Sequence, residues 1–234
     1  MITIDQGSKR FGSIQALDGL SLQVEEGRIT GLLGLNGSGK STTLKVIAGL
    51  LHLDQGEIRI DGEPPSISSK QKIAYLPEID VLYPWMTVSD AVTYMKDFYA
   101  DWDDQKAARL VEYFQLSPAR KIRDLSKGSR AKVKLLLALS RRAKYLLLDE
   151  PLSGIDVLAR EDLIQALVDD FLEEGQSILI TTHEVKEVEP ILDDVLFIRA
   201  GKIALQGNLE QLKAAKNLSL VEIMKEVFGG VHHV

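Results

Sequence analysis

The chain has 234 residues, 45% apolar and 26% charged, enough for one sizeable core and ordinary for a globular fold. A net charge of −6 argues against a protein that coats nucleic acid, and no nucleic-acid partner is expected; the absence of cysteine excludes disulfides, thiolate metal sites and thiol nucleophiles. Residues Met1 to Phe11 lack the apolar stretch of a signal peptide, and no run approaches the ~20 apolar residues that span a bilayer, so a cytosolic chain is expected.

Ile2 and Ile4 begin an alternation that breaks at Gly7 and Gly12; Leu20, Leu22 and Val24 alternate again before a turn at Glu25, Glu26 and Gly27. Two antiparallel strands leading into a parallel one are expected. Phe11 falls in a loop, where an aromatic ring is either half-buried or free to stack on a purine, and composition alone favours the first. Ile29 to Leu33 is a short apolar run of the kind that makes a buried strand. It is followed by Gly34, Leu35, Asn36, Gly37, Ser38, Gly39, Lys40 and Ser41, which read G-x-x-x-x-G-K-S, and by a helical pattern from Thr42 to Leu51 carrying Leu44, Ile47, Ala48 and Leu51. The glycines let successive N–H groups turn inward on phosphate oxygens while the helix contributes the positive end of its dipole. Residues 34–42 are therefore the candidate nucleotide-binding set. Lys40 is placed to reach the β- and γ-phosphates, and Ser41 to offer its hydroxyl to Mg²⁺.

Gly56 to Asp61 alternates and turns at Asp61 and Gly62; Pro64 to Ser69 reads as loop; Ile73 to Leu76 is a strand ending at Pro77 and Glu78. Leu82, Tyr83, Pro84, Trp85 and Met86 form an aromatic and apolar cluster that either packs on its own core or docks a partner, and the sequence leaves both open. From Thr87 to Ser140 helical periodicity takes over, with Val88, Val92, Met95 and Tyr99 on one stripe and Ala107, Leu110, Val111 and Phe114 on another. Leu125, Ser126, Lys127, Gly128 and Ser129 then lead into a basic, apolar helix expected from about Arg130 to Arg142. Ser126 suits an N-cap, and the helix start near Gly128 is a second place for an anion, although taken alone it reads as a capped helix.

Tyr145 to Leu148 is an apolar strand ending in Asp149 and Glu150. Two carboxylates at the end of a buried strand are costly unless a cation or a proton transfer uses them. Beside a phosphate loop, Asp149 is assigned to Mg²⁺ and Glu150 to the attacking water as general base. Pro151 to Asp156 is a turn-rich loop, Val157 to Leu172 a helix, and Ser177 to Ile180 a strand running into Thr181, Thr182 and His183, which places the imidazole near the γ-phosphate. A hairpin across Ala200 and Gly201, a helix over Asn208 to Ala215 and a tail helix with a Ser219/Glu222 capping box complete the chain; His232 and His233 read as solvated.

In order and spacing these segments resemble the nucleotide-binding subunits of ATP-binding cassette (ABC) transporters, over nearly the whole chain. Residues 34–41 match Walker A, Leu146 to Glu150 Walker B with its glutamate, Ser153 to Asp156 the D-loop, and His183 the switch histidine. Ser126 to Ser129 sit where the family has its LSGGQ signature, and Phe11 where it has its adenine-stacking aromatic, which reverses the preference from composition. Two positions depart: Glu78 replaces the Q-loop glutamine near the metal, and the signature reads LSKGS, with Ser126 and Gly128 retained to touch the γ-phosphate. The resemblance implies an α/β fold, a P-loop NTPase (RecA-like) core with a mixed sheet, an N-terminal antiparallel β subdomain and an inserted α-helical subdomain. Residues 1–86 and 144–215 would form the core with its antiparallel subdomain, 87–143 the helical part, and 216–234 the C-terminal helix and tail. It further implies an ATPase using ATP and Mg²⁺ (Ser41, Glu78 and Asp149 as metal residues, Glu150 and His183 as catalytic ones). This ATPase would work as a nucleotide-sandwich homodimer or heterodimer on a separate transmembrane permease at the cytoplasmic face of the membrane. The glutamate after Tyr-Leu-Pro is similar to exporter-type subunits that move drugs, antibiotics or lipids. A non-transport ABC ATPase or a weakly hydrolysing regulatory subunit is the alternative.

Overall fold

Alternating apolar residues at the start of the chain build a three-stranded antiparallel sheet. β1 (Ile2–Phe11) pairs with β2 (Ile14–Val24) on one side and with β4 (Gln55–Ile60) on the other. The computed structural model describes residues 1–168 and 175–229. In it the second sheet has six strands in the order β5-β6-β7-β3-β8-β9: β5 (Ile73–Leu76), β6 (Tyr145–Asp149), β7 (Ser177–Thr182), β3 (Ile29–Leu33), β8 (Asp194–Arg199) and β9 (Lys202–Asn208). All pairs are parallel except β8 with β9, which is the hairpin expected across Ala200 and Gly201. Strands β6 and β7 are buried along their whole length, which fits the apolar runs Tyr145 to Leu148 and Ile178 to Ile180 within them.

Helices cover the sheet and divide the interior in two. One core, holding Leu32, Leu44, Ile47, Leu147 and Leu179, joins α1 (Lys40–Ile47) and the antiparallel sheet to one face; the other holds Leu136, Leu146, Leu148, Ile180 and Phe197. Between β5 and β6 the chain forms α3 (Val88–Phe98), α4 (Asp104–Tyr113) and α5 (Lys127–Leu139), with no strand among them. After β6 come α6 (Val157–Val168), the short α7 (Val185–Val188), α8 (Leu209–Lys216) and α9 (Leu220–Phe228), the last starting at the expected Ser219/Glu222 capping box.

Several boundaries differ from the sequence reading. Part of the expected loop over Pro64 to Ser69 belongs to α2 (Ile67–Gln71), started by a capping box in which Ser66 and Ser69 satisfy each other's backbone N–H. α1 stops at Ile47 rather than Leu51 because Gly49 takes φ +67°, which ends the helix. α5 spans Lys127 to Leu139, three residues earlier than expected at both ends, because Ser126 caps it by accepting from the Ser129 N–H at 3.1 Å. Tyr99 closes α3 in extended conformation rather than continuing its stripe. The expected helix from Val157 is described as far as Val168, and His232 and His233 lie outside the described residues.

Candidate active site

The parallel strands deliver their carboxyl ends to one edge of the sheet, where β3, between β7 and β8, runs into the glycine-rich loop. Two glycines there cannot carry a side chain. A Cβ on Gly34 would lie 2.5 Å from the Ile198 carbonyl oxygen, and Gly39 has φ +112° with the Ala16 carbonyl 2.7 Å from where its Cβ would be. The curl leaves the side chain of Ser38 buried beside Gly34, with its hydroxyl unpartnered among the described residues. Lys40 is 6% exposed and folds back, donating to the Gly34 carbonyl at 2.8 Å and lying 3.4 Å from a Glu150 carboxylate oxygen.

The carboxylates are positioned by strand register. Asp149, the last residue of β6, pairs with Thr181 of β7, and its Oδ1 accepts from the Thr181 hydroxyl at 2.8 Å and the Ser41 hydroxyl at 2.9 Å. Its Oδ2 accepts from the Tyr75 hydroxyl at 3.2 Å, and burial together with the Asp149 charge pushes that phenol's pKa up. Glu150 turns out of the strand with φ +46°, a conformation that costs a non-glycine residue about 1 kcal/mol or more. It is held there by its own N–H, which donates to the Thr181 hydroxyl at 2.9 Å and the Thr181 carbonyl at 3.1 Å. The turn aims the Glu150 side chain between Lys40 and His183, whose Nδ1 is 2.8 Å from Oε2 and whose backbone N–H donates to the same oxygen at 3.2 Å.

These groups surround a cavity of about 640 Å³ lined by Lys40, Ser41, Thr42, Glu78, Glu150 and His183, together with Asn36, Gly37 and Gly39 of the loop. Gly34 is buried, and Leu35 is half-exposed and outside the lining. The β1–β2 hairpin contributes Ile14 and Ala16 to the wall, with Ser153 opposite. Phe11 ends β1, paired with Ile14; its ring is 45% exposed, with the Lys9 ammonium 5.8 Å from its centroid, and it stands outside the cavity lining. Ser126 and Gly128 do not line it either: Ser126 caps α5, and a Cβ on Gly128 would meet the Ala159 Cβ at 2.8 Å, so the signature segment packs closely on α6. One chain thus gathers the phosphate loop, Glu150, Glu78 and His183 on one cavity and leaves Ser126 and Gly128 outside its lining.

Thr181, Tyr75 and Ile14 had no site role in the sequence reading, and Ser153 had only its place at the start of the D-loop. Only the strand order makes Thr181 and Tyr75 neighbours of Asp149, which a linear motif does not carry.

Ser41 and Asp149, with Glu78 on the same cavity, form an all-oxygen donor set of the kind a hard divalent cation takes. Among the described residues no cluster of three or more histidine, aspartate or glutamate side chains can hold an ion by itself, so Mg²⁺ here would share its shell with phosphate oxygens and water.

Residues 17–153, more than half of the chain, match the family model described as ABC transporter. The chain is 34% identical over 226 residues to the lipopolysaccharide export system ATP-binding protein LptB of Haemophilus influenzae, covering 91% of this chain and 92% of that one. It is also 34% identical over 218 residues to the probable sulfate/thiosulfate import ATP-binding protein CysA of Chlorella vulgaris, covering 90% and 92%. Among solved structures, the ATP-binding subunit of an ABC transporter superposes with a TM-score of 0.85 at 26% identity, over 97% of this chain and 99% of the other. The chain belongs to the ABC transporter family and is an ATP-binding subunit of it, an ATPase built on the P-loop NTPase fold. Subunits of this family work with transmembrane permease subunits and form dimers. No helix among the described residues is long and apolar enough to cross a membrane.

Proposed function

We propose that this chain hydrolyses ATP within a nucleotide-sandwich dimer and thereby drives a separate membrane permease from the cytoplasmic face, in the direction of export. The observation that carries the reading is the placement of Glu150, held in a left-handed turn by Thr181 between Lys40 and His183, in a cavity that lacks Ser126 and Gly128.

Nucleotide phosphates entering the loop take Lys40 from the Gly34 carbonyl and meet inward N–H groups of residues 34–42, with Phe11 available to stack on the adenine at the outer end. Ser41, Asp149 and Glu78 would hold Mg²⁺, which would supply positive charge to offset that of the phosphates. Glu150 accepts a proton from the water that attacks the γ-phosphorus as the bond to the bridging oxygen breaks, giving ADP and phosphate. His183 holds the Glu150 carboxylate through Nδ1 and its backbone N–H, which fixes the base's direction. Ser126 and Gly128 of a second copy close over the γ-phosphate, because a symmetric pair supplies each cavity with the segment its own chain keeps away.

The permease has a surface suited to it. Tyr83 and Trp85 stack at 5.7 Å, Tyr83 and Tyr94 meet edge-on at 6.0 Å, and Tyr94 and Phe98 lie 4.7 Å apart. These rings are exposed while Met86 is buried, so the cluster left open by the sequence divides between core and surface. The export direction rests on the Tyr75-Leu76-Pro77-Glu78 segment, since the two relatives above are named for opposite directions. Affinity purification from solubilised membranes, followed by cargo movement in inside-out vesicles, tests this: a co-purifying permease with ATP-driven cargo uptake into the vesicles supports export, while cargo released from them reverses the direction. Recovery of the chain without any membrane protein favours the non-transport alternative.

A further inference from the structure

Glu78 puts a second carboxylate, beside Glu150, on a cavity that must accept the phosphates of ATP and whose Ser41 is hydrogen-bonded to the buried Asp149. Its segment is not left free. The Lys134 ammonium, in the middle of α5, donates to the backbone carbonyls of Glu78 at 3.0 Å and Ile79 at 3.2 Å. One turn earlier on the same helix face, Arg130 lies 2.9 Å from Asp80. Two successive carbonyls held by one ammonium fix the peptide between them, and so the direction in which the Glu78 side chain leaves the backbone. The amine is partly buried in a second, smaller cavity shared with Glu78, Asp80, Lys127, Arg130 and Glu150. Burial pushes its pKa down, and Asp80, Glu78 and Asp149 oppose that shift. Among the described residues no carboxylate is within ion-pair reach of its nitrogen, so its charge faces Asp80, Glu78 and Asp149 together rather than one of them.

We propose that Lys134 is a positioning residue for Glu78: it fixes the Glu78–Ile79 peptide on α5 and supplies the positive charge that lets a glutamate stand at the rim of a phosphate-binding cavity. This rests on the reading of Glu78 as a residue of the nucleotide site.

The test uses the full chain with K134M, K134R, E78A and the K134M/E78A pair. Limited proteolysis without nucleotide should show cleavage within residues 78–82 rising about tenfold in K134M while α5 stays resistant. ATP turnover should fall about tenfold in kcat in K134M, with a smaller change in KM, and return to within about threefold in K134R. In the E78A background K134M should cost less than about twofold, because no side chain is left to position. The same tenfold loss in both backgrounds, or unchanged cleavage and kcat in K134M, overturns the proposal while leaving Glu78 in the site. Parental turnover in E78A removes Glu78 from the site and overturns both.

Discussion

The phosphate loop and the signature segment each stand at the start of a helix, yet they are built in opposite ways. At the first, Lys40 and Ser41 are tied into a buried network through Gly34, Asp149, Thr181 and Glu150, with Asp149 only 1% exposed. At the second, the Ser126 hydroxyl is hydrogen-bonded, among the described residues, to Ser129 of its own helix, and Ser126 is exposed. A network that satisfies its own polar groups holds its shape without ligand. A capped helix end with exposed donors gains further partners only when something docks on it. On the proposed sandwich mechanism the contrast makes ATP binding a property of one chain and closure over the γ-phosphate a property of two.

Each half of that contrast can be broken separately. Glu150→Gln should lower ATP turnover by roughly 10²-fold or more, with ATP affinity kept, since the base is lost but no phosphate contact is; near-parental turnover in a phosphate-release assay would move the base elsewhere. Next in size, Lys40→Ala should weaken MgATP binding by about 10- to 100-fold through loss of a charge-assisted contact. Calorimetry showing unchanged affinity would count against the pre-built site. Thr181→Val removes a donor to Asp149 and an acceptor from the Glu150 N–H, so it should destabilise the fold by about 1–3 kcal/mol in denaturant melts and loosen the Glu150 turn.

The smallest effect concerns pH and lies away from both helix starts, where Asp61 joins the antiparallel sheet to the six-stranded one. Burial alone would raise its carboxyl pKa, but hydrogen bonds from Lys144 at 2.7 Å, Lys72 at 2.6 Å and Tyr145 at 2.6 Å hold it well below the ordinary value of 3.8. A carboxylate depressed in the folded state contributes stability that is fully present above its unfolded pKa and is lost as pH falls below it. Thermal melts of the parent should therefore drop on acidification below about pH 4, and Asp61→Asn should flatten that drop. An equal slope in both chains would remove Asp61 as its source.

What was legible in the sequence follows from what is local. G-x-x-x-x-G-K-S between an apolar run and a helix fixes residue types, spacing and backbone path together, so the order of residues alone identifies Lys40 and Ser41. The Leu-Leu-Leu-Asp-Glu run marks a buried strand with costly carboxylates at its end for the same reason. Thr181 and Tyr75 were not legible as partners of Asp149, because they reach it through parallel pairings of β6 with β7 and β5, whose residues are far away in the chain. α2 was missed because Ile67 to Gln71 has no apolar period and its capping box uses a second serine where the usual signal is Glu or Gln. The start of α5 was read too late because Gly128 looked like the end of a loop, whereas it is a helical residue kept small by its approach to Ala159.

The measurement closest to the central claim is the molecular mass in solution of the Glu150→Gln chain with MgATP and without nucleotide, alone and combined with Ser126→Arg. A dimer with MgATP, a monomer without it, and a Ser126→Arg chain that still binds ATP but stays monomeric are the predicted results. A dimer indifferent to nucleotide, or one that survives Ser126→Arg, would contradict the division of the site between two chains.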